Sequence, residues 1–130
     1  MAARTELLDT VAALSRDLDD AGFQPVLVGG MALISLGSQR ITMDFDLLLS
    51  RRDALLDSLM DVVYRHGLEL VTKFGPERQV VRSVDNARVA AAKLKLECPD
   101  SLHCFSWDTK LRVDLLLDFP VPASEIAARA

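Results

Sequence analysis

Apolar residues recur along this chain with two different periods, and the change of period marks its elements. Leu7, Leu8, Val11, Leu14 and Leu18 fall three and four residues apart. They predict an amphipathic helix, capped by Thr5, running to about Ala21 and stopped by Gly22. A second helical stripe, Leu55, Leu56, Leu59, Val62 and Val63, predicts a helix from Ser50 to about His66, with Gly67 as its stop. Ser50 and Asp53 have the spacing of a capping box, with Asp in place of Glu. Between the two helices the pattern is different. Val26-Leu27-Val28 reads as a short buried strand, closed by Gly29-Gly30, and Met31 to Leu36 suits a short helix ended by Gly37. From Met43 the period is two. Met43, Phe45, Leu47 and Leu49 share one face of a strand, and Asp44 and Asp46 share the other.

The second half of the chain is read mainly as strands. Leu68 to Lys73 is a strand, 74–77 a turn, Arg78 to Ser83 another strand, and 84–86 another turn. Val89 to Cys98 is ambiguous. Ala90-Ala91-Ala92 favours helix, but Lys93-Leu94-Lys95-Leu96-Glu97 alternates, and strand is the preferred reading, with Lys93, Lys95 and Glu97 on a solvated face. Leu102 to Trp107 and Leu111 to Asp118 form a hairpin joined by Asp108-Thr109-Lys110. In its second strand, Leu111, Val113, Leu115 and Leu117 face one way, and Arg112, Asp114, Leu116 and Asp118 the other. The fold class is α/β (α+β), a mixed sheet flanked by helices. With 130 residues it is a minimal single domain, long enough to bury a real core.

The acids carry the chemistry. Asp is a poor strand former, so two of them in an apolar strand call for an explanation beyond solvation of an edge. Held side by side, Asp44 and Asp46 repel, and a divalent cation such as Mg²⁺ relieves that conflict through hard oxygen ligands. If the strand carrying Asp114 lies alongside, a third carboxylate joins them. Three acids can hold one or two metals on a triphosphate. Gly29-Gly30, at the expected strand-to-helix corner, lets a phosphate approach the backbone at a helix N-terminus, although such a turn is often only a tight turn. Arg40 is a candidate for contacting the triphosphate or orienting an aspartate. Thr42 lies on the face of Asp44 and either bonds the carboxylates or simply suits the strand. Arg51 and Arg52 are read as a solvated first turn, and Asp118 as a strand-end residue.

Gly29-Gly30, thirteen intervening residues, Asp44-Phe45-Asp46 and the later strand-borne Asp114 together resemble the polymerase-beta-like nucleotidyltransferase superfamily. The form VGGMALISLGSQRITMDFDLL is similar to the bacterial branch that contains the abortive-infection nucleotidyltransferases. That branch has a Gly-Gly turn, an Arg-x-Thr-x-Asp-x-Asp segment and a later Asp, here Gly29, Gly30, Arg40, Thr42, Asp44, Asp46 and Asp114. The resemblance covers roughly residues 20 to 120. It implies a nucleotidyltransferase-like fold and transfer of a nucleoside monophosphate from an NTP, ATP foremost, to a hydroxyl. The cofactor it implies is Mg²⁺, with Mn²⁺ as the alternative. Asp44 and Asp46 become metal ligands, and Asp114 the third acid and candidate base. Where relatives with a Gly-Ser turn use the serine on phosphate, Gly30 has only its backbone to offer. The acceptor is left open among tRNA, a protein side chain and a small molecule.

Charge, cysteines and hydropathy narrow the setting. A formal charge of −4 argues against broad nonspecific nucleic-acid binding. Cys98 and Cys104 have no metal-ligand spacing, and His103 beside Cys104 is read as a strand residue rather than a zinc ligand. Trp107 is assigned to packing at the hairpin end, and His66 to a helix C-terminus. No apolar run reaches the length of a membrane span, and the first residues lack a signal-peptide core, so the expected location is cytoplasmic. Residues 119–130 are read as a Pro-containing link into the start of a helix, a site for a second copy or a partner chain. Two rivals accompany the enzymatic expectation: a nucleotide-binding or antitoxin-like subunit that needs a partner to act, and a structural domain with incidental acids.

Overall fold

The computed structural model describes residues 4–34, 41–50 and 55–117, with residues 4–5, 29–34 and 41–43 described by their backbone. In chain order the elements are α1 (Arg4–Asp20), β1 (Val26–Ile34), β2 (Ile41–Leu49), α2 (Leu56–Arg65), β3 (Glu69–Phe74), β4 (Val80–Ser83), α3 (Ala87–Glu97), β5 (Ser101–Phe105) and β6 (Arg112–Leu117). The six strands form one mixed sheet in the order β1-β2-β6-β5-β3-β4. β2 and β6 run parallel, and the other neighbouring pairs are antiparallel. The architecture is therefore α+β, with a mixed sheet and, among the described residues, three helices.

One face of the sheet and the helices share a single core. Phe45, Leu47 and Leu49 from β2, Val113, Leu115 and Leu117 from β6, and Leu102 and Cys104 from β5 pack with Leu7, Val11, Leu14 and Leu18 of α1. Leu59, Met60 and Val63 of α2 and Ala90, Ala91 and Leu94 of α3 complete it. The period-two alternation of β2 and β6 thus has a physical cause. Their apolar positions meet the helices, and their charged positions are turned to the opposite face. Leu48 is also buried, so the outward face of β2 is not wholly polar.

The helix ends follow from glycines at positive φ. Gly22 (φ 94) and Gly67 (φ 80) each follow a helix. After α1, Gly22 N–H donates to Asp19 O and Phe23 N–H to Leu18 O. After α2, Gly67 N–H donates to Tyr64 O and Leu68 N–H to Val63 O. Both are Schellman closures, which satisfy the last carbonyls and turn the chain back toward the sheet. His66 Nε2 meets Asp17 Oδ2 at 2.7 Å, so His66 ties α2 to α1 rather than serving the helix end alone.

The structure corrects several expectations. β1 does not stop at Gly29-Gly30 but continues through both to Ile34, so no helix begins at Met31. The glycines lie in the strand because each finds a ladder partner on β2: Gly29 opposite Asp46 and Gly30 opposite Phe45, after a register shift between Leu27 and Gly29. Gly37, the expected stop, and Arg40 fall outside the described residues. Val89 to Glu97 is helix, not strand. Asn86 caps α3 by accepting from the N–H groups of Arg88 and Val89, and Cys98 closes it in the left-handed region. Lys93 pairs with Glu97 one turn on at 2.8 Å, and Lys95 reaches Asp57 on α2 at 2.6 Å. α1 begins at Arg4, so Thr5 is inside the helix instead of capping it, and Leu8 is exposed. α2 begins at Leu56 rather than Ser50. The Ser50 hydroxyl donates instead to Gln24 Oε1 at 2.9 Å. The rest of the proposed box, and Arg51 and Arg52, lie outside the described residues.

Candidate active site on the polar face of the sheet

Register places the acids in two rows that cross the sheet. In the first, Gly29 on β1 stands opposite Asp46 on β2, Asp46 opposite Asp114 on β6, and Asp114 opposite His103 on β5. In the second, Met31 stands opposite Asp44, Asp44 opposite Arg112, and Arg112 opposite Phe105. Directly opposite residues on neighbouring strands project to the same face, so Asp46, Asp114 and His103 form one line of side chains and Asp44, Arg112 and Phe105 another. The parallel pairing of β2 with β6 brings Asp114 to Asp46. Gly29 has no side chain to stand beside Asp46 at the end of its row.

The electrostatics follow from that geometry. Burial pushes the Asp46 carboxyl up, and the Asp114 charge and a hydrogen bond shared with Asp114 push it further; His103 opposes. Burial also raises Asp44, with the Asp114 and Asp46 charges adding to it; Arg112 and, less, Arg78 pull the other way. His103 Nδ1 lies 2.8 Å from Asp114 Oδ1. That bond holds the imidazole above its ordinary value, against burial and the nearby Arg78 and Arg112 charges. Phe74 packs against His103 in a T-shaped contact, centroids 5.2 Å apart.

Arg112 sits at the centre of the second row. Its guanidinium lies over the rings of Phe74 and Phe105 at 6.0 and 5.9 Å, within cation–π range. Arg112 Nε is 4.0 Å from Asp44 Oδ1, and both of these buried atoms lack a hydrogen-bond partner. The two charges attract, but the separation is too long for a hydrogen bond. Beyond Phe105, Trp107 stacks edge to face on it and donates from Nε1 to Ser83 Oγ at 2.8 Å, so Trp107 is indeed engaged in packing at the hairpin end.

Of the residues expected at the site, Asp46 and Asp114 are brought together, and Asp44 stands one row away, turned toward Arg112. Gly29 and Gly30 flank the acids as strand residues rather than as a helix N-terminus, so a phosphate cradle built on helical N–H groups is not what they form. Thr42 is in β2, opposite Leu33. Arg40 and Asp118 lie outside the described residues. Sequence reasoning missed two members of the site. His103 was passed over because its neighbour Cys104, buried in the core, invites only a metal-ligand question. Arg112 is placed by the alternation on the face of Asp114, but nothing in the local sequence gives it a role. The signal for both was their parity with the acids: His103 and Arg112 occupy outward positions of the same hairpin as Asp114.

The donor chemistry suits a hard divalent cation. Burial and the neighbouring acids raise the Asp44 and Asp46 carboxyls, and Asp44 Oδ1 has no hydrogen-bond partner, a set of strains that an oxygen-seeking ion would relieve. Among the described residues, no three of His, Cys, Asp and Glu are already gathered as an ion cage. No helix among the described residues is long and apolar enough to cross a membrane. A scan against protein-family models finds no match, and a search of curated proteins finds none.

Proposed function

We propose that the chain is a nucleotidyltransferase of the polymerase-beta-like kind, moving a nucleoside monophosphate from an NTP, ATP foremost, to a hydroxyl acceptor. The observation that carries this reading is the row Gly29, Asp46, Asp114, His103, in which two carboxylates on parallel neighbouring strands repel each other beside a glycine. Asp44, Asp46 and Asp114 are the residues that would hold Mg²⁺ or Mn²⁺. Such an ion supplies charge neutralisation of the triphosphate and of the departing pyrophosphate. Gly29, opposite Asp46, keeps the space beside that carboxylate free of a side chain, so the phosphates approach the strand closely, and Gly30 can offer them only its backbone. Asp114 takes the proton of the acceptor hydroxyl as its oxygen bonds to the α-phosphorus and the bond to pyrophosphate breaks on the opposite side. Arg112 steadies Asp44, and Arg40 and Thr42 are the further candidates for nucleotide contact.

A second reading has its own observation. Asp114 is already engaged by His103, and Asp44 has the Arg112 charge 4.0 Å away, so two of the three acids are partly compensated within the chain without an ion. That suits a nucleotide-binding or antitoxin-like subunit that needs a partner to act. Incubation with α-labelled NTPs and Mg²⁺, offering cellular RNA, protein and small-molecule hydroxyls in turn, separates the two. Label transferred by the wild type and not by Asp46→Asn supports the enzyme. ATP binding with no transfer to any acceptor supports the subunit, and neither binding nor transfer contradicts both.

A further inference from the structure

His103 stands outside the set of acids, yet it is held from two sides. Its Nδ1 is 2.8 Å from Asp114 Oδ1, and its ring is braced by Phe74 at 5.2 Å between centroids. An ionised carboxylate only accepts, so Nδ1 carries the proton and donates it. Asp114 is thereby bracketed. On one side it stands opposite Asp46 on β2, and on the other it accepts from His103. A strand-borne aspartate repelled by its neighbour otherwise turns about χ1 toward solvent, and Asp114, about a third exposed, has solvent to turn toward.

We propose that His103 is a positioning residue, whose Nδ1–H fixes the Asp114 carboxylate in the orientation needed to share a divalent cation with Asp46. The proposal rests on the reading of the acids given above. It is the arrangement by which groups behind the ligands orient ligating carboxylates in metal sites, where loss of the supporting hydrogen bond lowers affinity by about 10- to 100-fold. Because the contact runs through Nδ1, the two amides separate position from chemistry. The amide nitrogen of Asn, one bond beyond Cγ, occupies nearly the place of Nδ1, whereas that of Gln reaches toward Nε2.

The test is Mn²⁺ binding to the full chain at neutral pH, followed by electron paramagnetic resonance, for the wild type and for His103→Asn, His103→Gln and His103→Leu. His103→Asn should bind within about threefold of the wild type, while His103→Gln and His103→Leu weaken binding about 10- to 100-fold. Thermal melts check that each variant is folded, and His103→Asn, the smallest change, keeps the comparison decisive if the others are not. Equal affinity in all four proteins overturns the positioning role and leaves the metal site standing. His103→Asn as weak as His103→Leu also overturns it, since the imidazole rather than its Nδ1 bond would then matter. A wild type that binds no Mn²⁺ removes the metal site itself, and the positioning role with it.

Discussion

Asp46 and Asp114 stand directly opposite each other on the parallel strands β2 and β6, and burial together with the Asp114 charge drives the Asp46 carboxyl above its ordinary value of 3.8. A fold that only needed solvated strand positions would gain by separating two such charges. This one seats them side by side, with His103 against one and Gly29 opposite the other. The metal-free protein therefore carries repulsion at neutral pH that neutralising one member should relieve. Asp46→Asn should raise the melting temperature of the metal-free protein by a few degrees, corresponding to no more than about 1 kcal/mol for a partly solvated pair. A thermal scan in chelator checks this. A lowered melting temperature would make Asp46 a structural residue.

The same charges set a pH dependence. Asp44 and Asp46 are raised in the folded chain, so their unfavourable ionisation weakens the fold as pH climbs from 3.8 through their folded values. His103 is also raised in the folded chain. Its stabilising contribution is complete below 6.5 and is lost as pH rises through its folded value. All three act in one direction. The stability of the chelated protein, by urea titration at successive pH values, should fall across the region above 6.5, and His103→Asn should flatten that upper portion. Saturating Mg²⁺ should reduce the decline by favouring the ionised acids.

Arg112 is the largest charge opposing the upward push of burial on Asp44. Arg112→Met keeps an unbranched apolar side chain on β6 and removes the guanidinium that lies over Phe74 and Phe105. The Asp44 carboxyl should then titrate at higher pH than in the wild type, as read from the pH dependence of its ¹³Cγ resonance. An unchanged titration would mean that the 4.0 Å approach of Arg112 to Asp44 has no electrostatic consequence.

Asn86 bonds two of the free N–H groups at the start of α3. Asn86→Ala should cost about 1 kcal/mol of unfolding free energy. Chemical denaturation measures it, and a change near zero would show that the packing of Ala90, Ala91 and Leu94 alone holds the helix.

The strands that carry the acids were legible because their alternation is enforced by burial. Phe45, Leu47, Val113 and Leu115 have to face the helices, which leaves Asp44, Asp46, Arg112 and Asp114 on the other side. α3 was not legible for a related reason. Lys93-Leu94-Lys95-Leu96-Glu97 alternates, but only Leu94 is buried, and Leu96 is 86% exposed. The period of two there reflects composition rather than a two-sided environment, and the Asn86 cap was absorbed into a turn. Gly29-Gly30 misled through local propensity. Glycine pairs favour corners, but β2 offers a full ladder of partners, and pairing outweighs the conformational freedom of two residues. Which strand neighbours β6, and hence which acid meets Asp114, is a matter of topology that no local pattern encodes.

The most direct measurement is isothermal titration of the intact chain with ATP, in the presence and absence of Mg²⁺, for the wild type and Asp46→Asn. The account predicts saturable binding to the wild type that requires Mg²⁺ and is lost in a folded Asp46→Asn variant. Binding that is indifferent to both Mg²⁺ and Asp46, or no binding at millimolar ATP, would contradict it.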